Sequence, residues 1–204
     1  MDLFRATLED LKSNFRLIHA LPNAGPIDAY ANGQLIARGL EFGKYTPYYP
    51  IDSGSYEIDL YPSGLYDNPV LSKTINLLPN SSSTISVITN NNVMDLFSLN
   101  DSSSGSLSTS FLRFINLSQS SPLLTLALSN DTSLFSNVEY LETTGYYPLS
   151  PGIYNFRVTI LSAQAVSKFI SELRLLNGKF YTIYIIGSAT GTPQLGYLVL
   201  TDGV

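Results

Sequence analysis

Hydrophobic positions in this chain recur mostly at a spacing of two. Ser55-Tyr56-Glu57-Ile58-Asp59-Leu60-Tyr61 puts Tyr56, Ile58 and Leu60 on one face and Glu57 and Asp59 on the other. Such alternation predicts an antiparallel strand with one side in a core and the other in water. Ile27-Asp28-Ala29-Tyr30-Ala31 alternates in the same way. Asn32-Gly33 then supplies the positive-φ pair of a tight hairpin, and Gln34-Leu35-Ile36-Ala37 returns. Phe15-Arg16-Leu17-Ile18-His19-Ala20 is a short strand closed by Pro22. Residues 84–88 and 180–186 are denser in β-branched and aromatic side chains, which predicts central strands. One segment breaks the pattern: Phe4, Leu8 and Leu11 fall at helical spacing, with Asp2, Glu9 and Asp10 on the other side.

The pattern also repeats. Leu40-Glu41-Phe42 matches Val138-Glu139-Tyr140, and Tyr48-Tyr49-Pro50-Ile51 matches Tyr146-Tyr147-Pro148-Leu149. Gly54-Ser55-Tyr56 matches Gly152-Ile153-Tyr154, and Thr84-Ile85-Ser86-Val87-Ile88 matches Thr182-Ile183-Tyr184-Ile185-Ile186, all at an offset of 98. Arg16-Leu17-Ile18-His19 faces Arg113-Phe114-Ile115-Asn116 at an offset of 97. Matches in one order at one period mean two tandem homologous domains. The run Asn100-Asp101-Ser102-Ser103-Ser104-Gly105-Ser106 has no apolar residue and is expected to stay in water. The expected organisation is an N-terminal arm at 1–14, a domain at 15–100, a linker at 101–108 and a second domain at 109–204. Residues 163–176 have the composition for a helical turn. The repeat predicts strand there, with Ser72-Lys73 opposite Ser167-Lys168. About seven short strands per copy, separated by Gly, Pro and Asn turns, predict an all-β fold of two Greek-key sandwiches.

Composition narrows the function. Of 204 residues only 13% are charged, about half the usual share of roughly 25%, so the surface is polar but mostly neutral. A formal net charge of -5 and the lack of any basic run argue against nucleic acid. The absence of Cys removes disulfides, thiol catalysis and Cys-ligated zinc. No run of ~20 apolar residues is present to span a membrane as a helix.

One stretch carries a family likeness. It runs Arg16-Leu17-Ile18-His19-Ala20-Leu21-Pro22-Asn23-Ala24, then Pro26-Ile27-Asp28-Ala29-Tyr30-Ala31-Asn32-Gly33, then Leu40-Glu41-Phe42-Gly43 and Gly54-Ser55-Tyr56. This resembles a bacterial family of domains of unknown function, number 4397, with the pattern R-V-x-H-x-S-P-D-A-P-x-V-D-V-Y-V-D-G, then L-x-F-G and G-x-Y. Leu21 and Asn23 replace the usual Ser and Asp. The second copy has Asn116 for the His and lacks the Asn-Gly. The resemblance implies tandem immunoglobulin-like β-sandwiches on exported or surface proteins, and it implies no enzyme activity.

The residues offer little catalytic chemistry. His19 is the only histidine, and the expectation is a strand residue hydrogen-bonded to the Pro turn that follows, a bond the Asn of the second copy also makes. Asn100-Asp101-Ser102-Ser103-Ser104-Gly105 starts like a calcium loop, but Phe111 stands where the bidentate Glu belongs. Gly39-Leu40-Glu41-Phe42-Gly43-Lys44 is one residue short of a phosphate loop, and Gly187-Ser188-Ala189-Thr190-Gly191 has Ala in place of a nucleophile. No catalytic, cofactor or metal residue is assigned.

Two functional readings follow. The first is a non-enzymatic structural protein of a bacterial surface layer that assembles with itself, as in a spore coat, a spore appendage or a similar filament. Phe4, Leu8 and Leu11 would be its joining contacts. The alternative is a surface adhesin that binds glycan or protein through loops and exposed tyrosines, with Tyr45, Tyr48, Tyr61, Tyr66 and Tyr146 as contacts. The opposing expectation for the Tyr-Tyr pairs is one ring in the core and one on ordinary strand surface. The start of the chain has no secretory pattern, so the expected place is a cell or spore surface reached from cytoplasmic synthesis without a recognisable signal peptide. Expected partners are further copies of the chain, other surface proteins or glycans.

Overall fold

Alternating strands need partners on both edges, and the computed structural model provides them. It describes residues 12–121, 123–160 and 167–203, among which all regular structure is β. The first half holds β1 (Lys12–His19), β2 (Ile27–Ala31), β3 (Gln34–Leu40), β4 (Tyr49–Asp52), β5 (Gly54–Pro62), β6 (Leu71–Leu77), β7 (Ser82–Asn90) and β8 (Val93–Asp101). The second half holds β9 (Ser110–Asn116), β10 (Leu123–Leu128), β11 (Ser133–Glu139), β12 (Tyr147–Leu149), β13 (Gly152–Ile160), β14 (Ser167–Leu175), β15 (Phe180–Ile186) and β16 (Gly196–Asp202). Each half thus has eight strands where about seven were expected.

Each half forms two four-stranded sheets, ordered β4-β1-β7-β8 and β3-β2-β5-β6 in the first and β12-β9-β15-β16 and β11-β10-β13-β14 in the second. β1 runs parallel to β7, and β9 runs parallel to β15. The Asn32-Gly33 hairpin forms as predicted: both residues have positive φ, and Ala31 pairs with Gln34.

Side-chain parity then builds three apolar layers. Phe15, Leu17, Ile85 and Val87 point into the first sandwich against Ala29, Ile58 and Leu60. Leu112, Phe114, Ile183 and Ile185 do the same in the second, against Leu126, Phe156 and Val158. The intervening residues of the same strands turn outward and are buried just as deeply. Ile18, Ala20, Ile88 and Leu99 of the first half pack on Ile115, Leu117, Tyr184, Ile186 and Leu200 of the second. The sheets β4-β1-β7-β8 and β12-β9-β15-β16 therefore face each other, and the molecule is a stack of four sheets. This is why residues 84–88 and 180–186 are apolar with little alternation: their strands are covered on both sides.

Three sequence expectations need correction. Residues 12–14 of the supposed helical arm are strand, paired with Asp52, Ile51 and Pro50 of β4, and Asn14 also meets Ser82 of β7. Partners on both edges outweigh local helical spacing; Phe4, Leu8 and Leu11 lie outside the described residues. Asn100 and Asp101, read as linker, end β8 opposite Ser83 and Ser82. Finally, the strand predicted within 163–176 is present as β14, but its register differs. Ile58 pairs with Lys73 and Phe156, its repeat equivalent, pairs with Ile170, so Lys73 corresponds to Ile170 and not to Lys168. A bulge between Tyr154 and Phe156, with Glu172 at positive φ, takes up the extra residue.

The middle layer should be as sensitive as an ordinary core. Ile18→Ala and Ile115→Ala are each expected to cost about 2–5 kcal/mol in urea unfolding, since both side chains are fully buried between the halves. A loss below about 0.5 kcal/mol, the scale of a surface change, would show that the two halves do not stack.

Candidate functional site

The outer face of β3-β2-β5-β6 is where exposed chemistry collects. With Ala29, Ala31, Ile58 and Leu60 committed to the core, parity sends Asp28, Tyr30, Asp59 and Tyr61 outward. Cross-strand pairing sets Asp28 beside Tyr61 and Tyr30 beside Asp59. Tyr66 arrives from the loop after β5. Its hydroxyl donates to Asp28 Oδ2 at 2.7 Å, and the Gly39 amide donates to Asp28 Oδ1 at 2.6 Å. The Gly64 amide adds a third, longer bond at 3.3 Å. Burial works against the Asp28 charge, but these donors, Tyr66 first, outweigh it and hold the carboxyl at about 2. The same bond pushes the Tyr66 phenol up.

The three rings meet at steep angles. Tyr30 and Tyr61 lie 5.6 Å apart at 83°, Tyr30 and Tyr66 lie 6.3 Å apart at 89°, and Tyr61 and Tyr66 lie 6.0 Å apart at 54°. Together with Gly33 and Asp59 they line an open cleft of about 280 Å³. Among the described residues, the second half does not repeat these side chains. Its pairing places Thr125, Ala127, Arg157 and Thr159 where the first half has Asp28, Tyr30, Asp59 and Tyr61. The fold therefore does not require these rings.

The other expected contact residues go elsewhere. Tyr45 is exposed, and its backbone bridges to Ile18. Tyr48 and Tyr146 are not free surface: both are drawn into the seam between the halves. There Arg16 Nη2 bonds Asp202 Oδ1 at 2.5 Å, Nη1 bonds the Thr201 carbonyl at 2.7 Å and Nε bonds Thr84 Oγ1 at 2.8 Å. Arg113 repeats this in reverse, bonding Asp101, the Asn100 carbonyl at 2.9 Å and Thr182 Oγ1 at 2.9 Å. Tyr48 donates to Asp101 at 2.7 Å and Tyr146 to Asp202 at 2.8 Å, while each guanidinium lies 4.6 Å over the matching ring. All four charged side chains are at least 96% buried. Burial and the adjacent carboxylates push both phenols up, and the carboxylates hold both arginines charged against their burial.

Sequence reasoning passed over two features. Tyr30 and Asp28 were read only for the strand they form, although their outward parity was available. Arg16 and Arg113 were read as repeat markers, although a charged residue inside an apolar strand asks for a buried partner. His19 Nε2 bonds the Gly25 carbonyl at 3.1 Å, and Asn116 donates to the Ser121 carbonyl at 2.6 Å, so both close the turn after their strand as expected. Burial pushes the His19 ring toward its neutral form.

With this geometry in hand, comparison with known proteins adds a family. The model for a family described as "Domain of unknown function (DUF4397)" matches residues 13–127 and again 110–204. No curated protein matches the chain. Among solved structures, the chain is similar to one described as "Putative cell adhesion protein from Parabacteroides distasonis ATCC 8503", at 6% identity and a TM-score of 0.24. The match covers 93% of this chain and 98% of that one. A likeness of that size settles neither fold nor role.

The seam and the cleft each make a prediction. Arg113→Ala and Asp101→Ala should each cost about 3–5 kcal/mol, because each leaves a buried charge short of its partner. The double variant should cost less than the two summed, by about 0.5–3 kcal/mol; strict additivity in urea unfolding would mean the pair is not coupled. Asp28, held below its ordinary 3.8, contributes stability that is complete above that value and is lost as pH falls through about 2. Asp28→Asn should therefore flatten the acid limb of stability against pH. Asp95, also held low, leaves a residual slope. An unchanged acid limb would mean that Asp28 is not bonded as described.

Proposed function

The chain belongs to that family of domains of unknown function, in tandem, and we propose that it is a non-catalytic binding module of a cell surface. In this reading the stacked halves are a rigid body, built on the immunoglobulin-like sandwich that the sequence resemblance implies. The binding face is the outer side of β3-β2-β5-β6. One observation carries it. Tyr30, Tyr61 and Tyr66 gather around a cleft on one repeat, while the equivalent strand positions of the other hold Ala127 and Thr159. Exposed aromatic clusters that the core does not need are a mark of recognition surfaces. The Tyr30 and Tyr61 hydroxyls make no hydrogen bond among the described residues, which leaves them to a ligand.

The geometry favours this over self-assembly. The faces that the two repeats share are the surfaces a chain of copies would use, and both are already covered within one chain. Here the repeats turn like faces toward each other, Arg16 to Asp202 and Arg113 to Asp101, and such a contact closes on itself.

The test is a screen of the purified chain against immobilised glycans and surface proteins. Binding is expected, and Tyr30→Ala/Tyr61→Ala should weaken it at least about tenfold, as for a hot-spot pair, with its unfolding midpoint unchanged. Equal binding by this variant would overturn the reading. So would failure to bind anything together with filaments that lengthen with concentration under negative-stain electron microscopy.

A further inference from the structure

From the shape and charge of the cleft we infer that it receives an organic ammonium group: the head of a lysine side chain or of a choline-like quaternary amine. This rests on the binding-face reading and narrows its ligand. The first argument is shape. Sugar rings stack on a flat aromatic shelf, whereas the rings here are inclined to one another by 83°, 89° and 54° and form a corner. A corner of aromatic rings touches a compact convex group on several sides at once, the arrangement that ammonium-binding aromatic cages use. The cleft, about 280 Å³, falls just below the ~300–1,000 Å³ of pockets for whole drug-sized ligands, so it suits a head group on a longer molecule.

Charge is the second argument. Asp59 lines the cleft and has no ion-pair partner among the described residues. Asp28 is bonded to Tyr66, and its charge is met by neutral donors: the Tyr66 and Ser63 hydroxyls and the Gly39 and Gly64 amides. Both carboxylates therefore leave a negative field on the aromatic corner. The Tyr66 phenol, donating to Asp28, becomes richer in electrons at its ring, which strengthens its attraction for a cation. Arg38 on β3 also acts on Tyr66, but it is exposed and screened by water. In the second half the same face carries Arg157 where Asp59 stands, with the exposed Phe169 opposite it, and so lacks the tyrosine corner and the sign of charge among the described residues.

The experiment is aromatic-region NMR titration of the full chain with tetramethylammonium, choline, Nα-acetyl-lysine methylamide and its trimethylated form. 3,3-Dimethylbutanol serves as the neutral isostere of choline and methyl glucoside as the sugar. Choline or one of the lysine derivatives is expected to shift Tyr30, Tyr61 and Tyr66 with a dissociation constant on the order of millimolar. The neutral alcohol should bind at least about tenfold more weakly. The ranking of quaternary against primary amines then identifies the source of the head group. Tyr61→Phe, which keeps the ring, should retain binding; Tyr61→Leu should lose about tenfold and Asp59→Asn a few-fold. Equal binding of choline and the alcohol would overturn the inference, as would no shift with any ammonium probe, or binding of methyl glucoside that Tyr61→Phe abolishes. Each of these leaves the binding face standing if Tyr30→Ala/Tyr61→Ala still weakens capture in the array; only loss of that effect removes both readings.

Discussion

Everything about the shape of this molecule depends on two arginines buried in the middle of it. Arg16 and Arg113 sit in strands whose neighbours on either side are apolar and fully covered. A guanidinium cannot lose its proton, so once buried it must be matched by carboxylates and acceptors. The match is reciprocal: the first repeat's Arg takes the second repeat's Asp202, and the second repeat's Arg takes Asp101 of the first. An apolar layer alone tolerates sliding, because one aliphatic contact resembles the next. With the ionic groups inside it, any other register strands two charges without partners. The ionic cluster contributes less to stability than its number of bonds suggests, but it selects one arrangement of the halves.

That arrangement explains where the two repeats stayed alike and where they diverged. Arg, Thr and Tyr recur on the facing sheets, and an Asp closes each repeat. The facing surfaces differ at Ser86 and Tyr184, which are equivalent positions. Burial, with the charges of Asp101 and Asp202 and against those of Arg113 and Arg16, pushes the Tyr184 phenol up to about 12. The outer sheets carry no such mutual constraint. They have drifted to a Tyr and Asp surface on one repeat and an Ala, Thr, Arg and Phe surface on the other.

Much of this was legible along the chain because it is local. Residues 55–61 and the Asn32-Gly33 turn follow from short-range rules, the 98-residue period is visible as matching short motifs, and the structure carries all three. What failed was long-range. Tyr48 and Tyr146 look like surface tyrosines until an arginine lies across each ring, and Asp101 looks like linker until Arg113 reaches it. No window of a few residues contains both members of such a pair. The register of β14 was hidden for a similar reason: it is set by pairing with β13 and by a one-residue bulge near Glu172 that composition does not mark. Tyr30 was within reach: the alternation that puts Ala29 inside puts Tyr30 outside, on the same face as Tyr61.

The cleft itself is held by the core rather than by its loop. Tyr30 and Tyr61 are carried on β2 and β5, paired through five consecutive residues, and the alternate side chains of those strands are fully or almost fully buried. Tyr66 comes from a loop, yet its hydroxyl is fixed to Asp28, and Asp28 is fixed by the Gly39 and Gly64 amides. Gly39 and Gly64 both have positive φ, a conformation that lets their amides turn toward one carboxylate and that a side chain would resist. Ring positions set this way need little ordering when a ligand arrives, so more of the contact energy appears as affinity. A binding surface built on strands also explains the use of a duplicated fold. The second repeat covers the inner sheet of the first, whose buried Ile18, Ile88 and Leu99 would otherwise face water, and leaves the outer sheet free for recognition.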